Sequence, residues 1–117
     1  AVIFNITHEQ YITLLPKSIT SAFGFAVSEQ FGGISSITVP VIILTGAVGN
    51  VFGQSICRIT GIKNRIAVGL ALGSSSHVLG TAKALELGEL EGAMSSISVV
   101  VSEIITVLAA SFFAGLY

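Results

Sequence analysis

Charged residues are scarce in this sequence. Only 9% of its 117 residues are charged and 52% are hydrophobic, whereas about a quarter of the residues of a soluble domain are charged. So few charges cannot cover a surface that faces water. The five basic residues form no patch for nucleic acid, and the single cysteine, Cys57, excludes a disulfide within the chain and a cysteine-based metal site. The composition predicts a polytopic helical membrane protein.

The gaps between charges define the expected membrane spans. Residues 30–57 carry no charge, and at 1.5 Å per residue a helix of this length exceeds the roughly 30 Å of a hydrocarbon core. Residues 92–117 carry only Glu103. We therefore predict two full transmembrane helices, over residues 37–59 and 92–117.

Two further apolar segments are interrupted by polar residues. The segment 16–31 is about 24 Å long if wholly helical, which is short for a crossing, and Pro16 at its start favours a helix N-terminus. The segment 66–85 is a third, less regular span that is broken near His77. We expect both segments to be broken or re-entrant helices in an all-α bundle, with residues 1–117 forming one transmembrane domain.

Basic residues indicate the orientation of the chain. Arg58, Lys63 and Arg65 lie in the connection before the third segment, and the positive-inside rule predicts that this loop is cytoplasmic. The next connection, residues 86–91, is acidic and has no basic residue, so we expect it on the opposite side. The sequence begins with Ala1 rather than methionine, and we expect it to be part of a longer chain.

Polar groups inside apolar segments point to function, because an unpaired polar group in hydrocarbon is costly. The first cluster follows Pro16 and contains Lys17, Ser18 and Thr20. A lysine and hydroxyl groups beside a helix N-terminus can bind an anion. The alternative is an ordinary helix start whose lysine reaches the membrane surface.

The second polar cluster interrupts the segment 66–85. Glycines on either side of a polar tract weaken a helix and free backbone groups, which a membrane protein tolerates where protein or a water-filled cavity pairs them. Transporters bind substrates at such breaks, and a histidine there can exchange protons near neutral pH. The residues predicted to bind substrate in this cluster are Ser75, Ser76, His77, Gly80, Thr81 and Lys83.

Tight helix packing is the competing explanation for several glycines. Two G-x-x-x-G pairs would let helix backbones approach closely: Gly49 with Gly53, and Gly69 with Gly73. Packing alone does not require the serines, the histidine and the lysine of the second cluster. We therefore expect this region to combine packing with a functional break.

Glu103 lies about halfway through the segment 92–117. A carboxylate at that depth is costly unless it has a partner or a function, and we name it together with His77 as a candidate for proton coupling. Its expected partner is His77, Lys83 or Lys17. A neutral carboxyl group bonded to a neighbouring hydroxyl is the alternative.

Motifs of soluble enzymes do not occur in the sequence. It contains no dinucleotide-binding G-x-G-x-x-G, no phosphate-binding G-x-x-x-x-G-K and no G-x-S-x-G nucleophile motif. His8 and His77 are far apart and have no companions at the spacing of metal ligands. We predict a protein that is not an enzyme and that has no metal or cofactor site.

Several motifs resemble those of the LrgB/CidB family of bacterial membrane proteins. They follow one another along nearly the whole chain, as LPKSIT (15–20), SEQFGGI (28–34), GLALG (69–73), SH (76–77) and GTAKALELGE (80–89). Members of this family are about twice as long, so the resemblance implies that this chain is their carboxyl-terminal half.

The resemblance also implies a location and a function. Family members are described as holin-like or antiholin-like regulators of murein hydrolase export and cell lysis, acting with a small LrgA/CidA partner. Relatives are linked to transport of pyruvate, glycolate and glycerate, and the grouping with proton antiporters implies half of an inverted-repeat carrier fold in the bacterial inner membrane. We expect a homo-oligomeric carrier for a small organic anion, with a holin-like pore or lysis regulator as the alternative.

The polar residues of both clusters match family motifs residue by residue: Lys17, Ser18 and Thr20 in the first, and His77, Gly80, Thr81 and Lys83 in the second. Lys83 stands where arginine is frequent in the family, and lysine keeps the charge but loses bidentate carboxylate recognition. Glu103 matches no family motif. We expect the anion to bind between residues 16–21 and 73–83, whose joint movement would expose it to each side in turn.

Overall fold

The chain folds entirely into helices over the part that is described. The computed structural model describes residues 2–116, in which a 3-10 turn at Val2–Phe4 precedes five α-helices. The α-helices are α1 (His8–Leu14), α2 (Ser21–Phe31), α3 (Ser35–Ile59), α4 (Arg65–Leu87) and α5 (Glu89–Ala114). The prediction of an all-helical fold is confirmed.

Two of these helices, α3 and α5, are long and apolar enough to cross a membrane. They contain 25 and 26 residues and are therefore about 38 and 39 Å long, which exceeds a hydrocarbon core of about 30 Å. Large apolar side chains are exposed on both, including Leu44 and Val51 on α3 and Leu108 and Phe112 on α5. Surfaces of this kind favour contact with lipid or with another protein chain.

The chain reverses direction inside α4. Residues 76 and 77 leave the helical region, with φ and ψ of −134° and 16° at the first and of 42° and −135° at the second. The reversal brings Gly80 against the backbone oxygen of Leu72, although residues eight apart in a continuous helix are separated by about 12 Å along its axis. α4 is therefore a hairpin of two half-helices, α4a (65–75) and α4b (78–87).

The two ends of α4 meet beside the start of α5. The Arg65 guanidinium forms a bidentate ion pair with the Glu91 carboxylate, at 2.7 and 2.8 Å, and we name this end of the molecule the Arg65 end. The acidic connection 86–91 thus lies at the same end of the molecule as the basic loop, whereas the sequence interpretation placed the two on opposite sides. The segment 66–85 breaks at residues 76 and 77 and returns to the end from which it started, which is the course of the expected re-entrant helix and not that of a third span.

The two half-helices pack on α5 in opposite directions. On α4a, the Leu70 carbonyl oxygen accepts a hydrogen bond from Ser98 at 2.9 Å. On α4b, the hydroxyl groups of Thr81 and Ser95 are 2.8 Å apart. Together with the pair of Arg65 and Glu91 and the close approach of Leu85 to Gly92, these contacts show that residue numbers on α4a rise with those on α5, whereas residue numbers on α4b fall. The hairpin therefore lies along the first half of α5.

The segment 15–20 and α2 form another hairpin, which we call the first hairpin, with α4 as the second. Pro16 in this segment lies beside Gly24 of α2, the chain turns back at Thr20, and α1 precedes the open end. At the open end, the Thr38 hydroxyl at the start of α3 donates to the Thr13 carbonyl oxygen at 2.9 Å and lies 2.8 Å from the Ser28 hydroxyl. One side chain thus joins the end of α1, the end of α2 and the start of α3.

The turn of the first hairpin changes the predicted segment 16–31. Pro16 lies in the segment 15–20, and α2 begins five residues later at Ser21, so the prediction that Pro16 starts a helix is wrong. With 11 residues, α2 is about 16 Å long and reaches only about half the thickness of a hydrocarbon core.

The two hairpins enter the molecule from opposite ends. Tyr11 on α1 donates to the carbonyl oxygen of Phe113, near the end of α5, at 3.1 Å. The open end of the second hairpin lies instead at the start of α5, through the pair of Arg65 and Glu91. Because α5 runs the length of the molecule, the turns of both hairpins point towards its middle.

The four glycines predicted to pack helices all lie in close contacts. A side-chain carbon would collide with a neighbour at each of them: Gly49 with Ser76, Gly53 with Leu72, Gly69 with the backbone of Glu91, and Gly73 with the backbone of Ser95. A backbone neighbour cannot rotate away as a side chain can. The contact between α4a and α5 therefore depends on glycine.

The variant Gly73→Ala tests this dependence. The added carbon would press on the backbone oxygen of Ser95, and such overpacking costs about 1–3 kcal/mol, so we expect a lower midpoint of thermal unfolding in detergent. The matched control is Gly115→Ala, where the nearest atom to the added carbon would be 3.6 Å away, and it should unfold at or above the wild-type temperature. An equal effect of both variants would contradict the packing argument.

Cysteine labelling tests the position of the two connections. In a Cys57→Ala background and sealed membrane vesicles, Lys63→Cys and Glu89→Cys should react with an impermeant maleimide from the same side, because both lie at the Arg65 end. Ser36→Cys, near the start of α3, should react from the other side. Labelling of Lys63→Cys and Glu89→Cys from opposite sides would mean that α4 crosses the membrane.

Candidate functional site

The turns of the two hairpins meet at a cavity of about 360 Å³. Both predicted interruptions contribute to it, and its lining consists of Thr20, Ser21, Ile42, Ile43, His77, Val78 and Leu79. The two isoleucines come from α3 and form an apolar wall. Small-molecule sites occupy roughly 300–1,000 Å³, so this cavity suits a small ligand.

Two helices begin at the cavity. α2 starts at Ser21 after the N-cap residue Thr20, whose side chain makes no capping hydrogen bond, and α4b starts at residue 78. The first N–H groups of a helix have no acceptor within the helix and carry the positive end of its dipole. The cavity therefore receives positive potential from two helix N-termini, which favours an anion.

His77 forms the turn between the half-helices and is only 5% exposed. Its Nε2 atom lies 2.9 Å from the carbonyl oxygen of Ile42, so this nitrogen carries a proton and donates it. A positive φ is uncommon for a residue with a side chain, and nearby hydrogen bonds hold the turn. Thr81 donates to the His77 carbonyl oxygen at 3.2 Å, and Asn50 donates to that of Leu79 at 2.8 Å.

Glu103 lies beside the turn of the first hairpin. Its Oε1 atom accepts a hydrogen bond from the backbone N–H of Thr20 at 3.1 Å. A carboxylate at this position stabilises the N-terminus of α2 and connects the middle of α5 to the turn. The prediction that Glu103 has a histidine, lysine or hydroxyl partner is wrong, because its partner is the backbone N–H of Thr20.

The two predicted lysines do not line the cavity. Lys17 is exposed, and its ammonium group donates to the Ser18 hydroxyl at 3.0 Å. Lys83 forms an ion pair with Glu86 at 2.9 Å, and six helical residues place it about 9 Å beyond His77 along α4b. In this arrangement neither ammonium group reaches the space between the two turns.

The other predicted residues of the second cluster hold its hairpin together. Ser75 donates to a backbone carbonyl oxygen one turn earlier, at 2.6 Å. Ser76 and Gly80 are buried where the half-helices touch, and the hydroxyl of Thr81 bonds to that of Ser95. These residues shape the turn that carries His77.

Two residues beside the cavity escaped the sequence interpretation. A side-chain carbon on Gly46 would lie 2.5 Å from the His77 ring, so this glycine makes room for the imidazole. Asn50 donates to the carbonyl oxygen of Leu79 and so ties the start of α4b to α3. Both lie on one face of α3 with Gly53, and an amide in an otherwise apolar helix is itself a signal of a polar contact.

The ion pair at the Arg65 end lies apart from the cavity. Hydrogen bonds to the Glu91 carboxylate, and secondly its charge, raise the pKa of the Arg65 guanidinium above its ordinary value, so the arginine stays charged. Within residues 2–116, no group of three His, Cys, Asp or Glu side chains comes together as a metal site requires.

Comparison with known proteins gives the family. A family model described as the LrgB-like family matches residues 1–116. The chain belongs to this family. The resemblance seen in the sequence motifs is thereby confirmed.

Curated relatives of this LrgB-like chain come from several bacteria. It is 46% identical over 104 residues to a "Holin-like protein CidB" of Staphylococcus epidermidis, covering 89% of the chain and 45% of the relative. It is 42% identical over 103 residues to a protein of the same name from Staphylococcus aureus, covering 88% and 45%. An uncharacterised protein of Haemophilus influenzae is 38% identical over 112 residues, covering 96% and 48%.

The chain spans a little under half the length of these curated relatives. No solved structure matches it. The holin-like names of the relatives and the two long apolar helices together indicate a membrane protein.

Substitutions at Glu103 test the contact with the turn. In Glu103→Gln the side chain keeps an oxygen that accepts the Thr20 N–H, whereas Glu103→Met keeps the length but leaves this partly buried N–H unpaired. An unpaired buried donor costs about 1–3 kcal/mol, so thermal unfolding in detergent should show a lower midpoint for the methionine variant than for the glutamine variant. A methionine variant as stable as the glutamine variant would show that the hydrogen bond between Glu103 and Thr20 does not stabilise the fold.

Proposed function

We propose that this LrgB-like chain belongs to a multi-pass carrier of the bacterial inner membrane that moves a small organic anion, a monocarboxylate such as pyruvate or glycolate. The observation that carries the proposal is the cavity of about 360 Å³ at which α2 and α4b both begin. The protein would act with a small LrgA-like partner and as a homo-oligomer, without catalysing a covalent change. The loop at 58–65 would face the cytoplasm.

Two helix N-termini would bind the carboxylate of the substrate. Their unpaired N–H groups would donate to its oxygens, and the hydroxyl groups of Thr20 and Ser21 lie at the same cavity. Ile42 and Ile43 offer an apolar wall to the carbon chain of the anion. Backbone dipoles would thus bind the carboxylate, a role that the sequence interpretation gave to Lys17 and Lys83.

Proton coupling would follow from the position of Glu103. Its carboxylate bonds to the N-terminus of α2, so an ionised Glu103 would repel an anion that approaches the same turn. Protonation removes the repulsion, which favours entry of the anion together with a proton. His77 is the second candidate, because a protonated imidazole would add positive charge to the lining.

Alternating access would use the opposed hairpins. Residues 8–59 form a hairpin followed by a long helix, and residues 65–114 form another such unit that enters from the other end. We propose that these units are inverted repeats, between which transporters commonly place their substrate sites. A movement of the two turns relative to α3 and α5 would open the cavity to each side in turn.

A holin-like pore or lysis regulator is the second candidate. It is favoured by the names of the staphylococcal relatives, both of which are called holin-like. The exposed apolar faces of α3 and α5 could serve assembly into large oligomers. Such a pore would conduct without saturation and would let unrelated solutes pass.

Uptake by reconstituted vesicles distinguishes the carrier from the pore. Labelled pyruvate or glycolate should enter with saturation in the wild type, and Ser21→Leu should lower the rate at least about tenfold, because it fills the cavity with an apolar side chain. The matched control Ser36→Leu changes an exposed serine near the start of α3, away from the cavity, and should transport normally. Exclusion of pyruvate, lactate and glycolate together with free leakage of a dye would contradict the carrier and support the pore.

A further inference from the structure

A basic pocket and an apolar groove adjoin at the end of α3. The pocket, of about 220 Å³, lies at the Arg65 end and is lined in part by Arg58, Lys63 and Arg65. The groove, of about 580 Å³, runs between α3 and α4a. Cys57 and Ile62 line both spaces, so the two lie next to each other.

The pocket carries uncompensated positive charge. Glu91, the acidic residue of its lining, is engaged in the bidentate pair with Arg65. Arg58 and Lys63 are exposed, and neither side chain forms a hydrogen bond or ion pair within the described part of the chain. Two cationic groups are thus available in the pocket next to the groove.

The groove next to this pocket has a mostly apolar surface. It reaches along α3 from Thr60 to Thr45, a length of about 22 Å, which exceeds the roughly 15 Å of one leaflet of a hydrocarbon core. Its depth comes from Gly49 and Gly53, and its walls include Ile56. An extended acyl chain has the shape and the polarity of this space.

We propose that the pocket and the groove bind one anionic phospholipid, with the phosphate at Arg58 and Lys63 and an acyl chain along α3 and α4a. Basic pockets between membrane helices bind anionic headgroups, and a phospholipid presents its anionic group and its apolar chain in the order found here. A soluble anion would fill the pocket alone. The inference rests on the membrane placement in the proposed function and not on transport.

Native mass spectrometry of the purified protein tests the headgroup. After exposure to equal amounts of phosphatidylglycerol and phosphatidylcholine with the same acyl chains, the wild type should retain phosphatidylglycerol at least about tenfold better, since each basic residue near a membrane surface strengthens anionic binding. Arg58→Gln and Lys63→Gln should each reduce this preference. Lys17→Gln, which removes an exposed lysine elsewhere, should not reduce it.

The groove has its own variant and control. Ser74→Phe places an aromatic ring into the groove and should abolish retention of both lipids, while Ser96→Phe, at an exposed serine of α5, should not. Equal retention of the two lipids by the wild type, normal retention by Ser74→Phe, or a lipid-free dimer would overturn the proposal. Retained phosphatidylglycerol in a protein that transports no anion would leave the lipid site intact and overturn only the carrier.

Discussion

The reversal of the chain at residues 76 and 77 is held in place by hydrogen bonds from side chains around it. Asn50 of α3 donates to the carbonyl oxygen of Leu79, and Thr81 donates to that of His77. The imidazole in turn donates to a carbonyl oxygen of α3. Because the chain turns back here, α4 ends where it began, α5 starts beside Arg65, and both half-helices can lie on one long helix.

The site follows from two such reversals placed face to face. Each hairpin ends in a helix N-terminus at the middle of the molecule, and the two N-termini share one cavity with apolar walls. Glu103 compensates one of them through the Thr20 N–H, which puts a titratable group one hydrogen bond away from the cavity. In the proposed carrier, backbone dipoles fixed by the fold would attract the anion, whereas the ammonium group of Lys83 is already paired with Glu86.

The outer surface agrees with a protein that contacts lipid or other chains along most of its length. α3 and α5 expose large apolar side chains over about 38 Å, and the chain spans a little under half of its curated relatives. Charge is confined mainly to the two ends and the hairpin turns. A carrier and a holin-like pore both need such a surface, so the interior features, a cavity at two helix N-termini and two opposed hairpins, favour the carrier.

Hydropathy and motifs were enough to predict helices over 37–59 and 92–117, the interruption near His77 and the family, because each of these depends on local composition or on residue order. The tertiary structure alone decided that α4 turns back, that Glu91 meets Arg65, and that a backbone amide is the partner of Glu103. Hydropathy measures how apolar a segment is and carries no information on the direction in which the chain leaves a break. That direction depends on two residues' φ and ψ angles, which contacts from α3 and α5, distant in the sequence, hold in place.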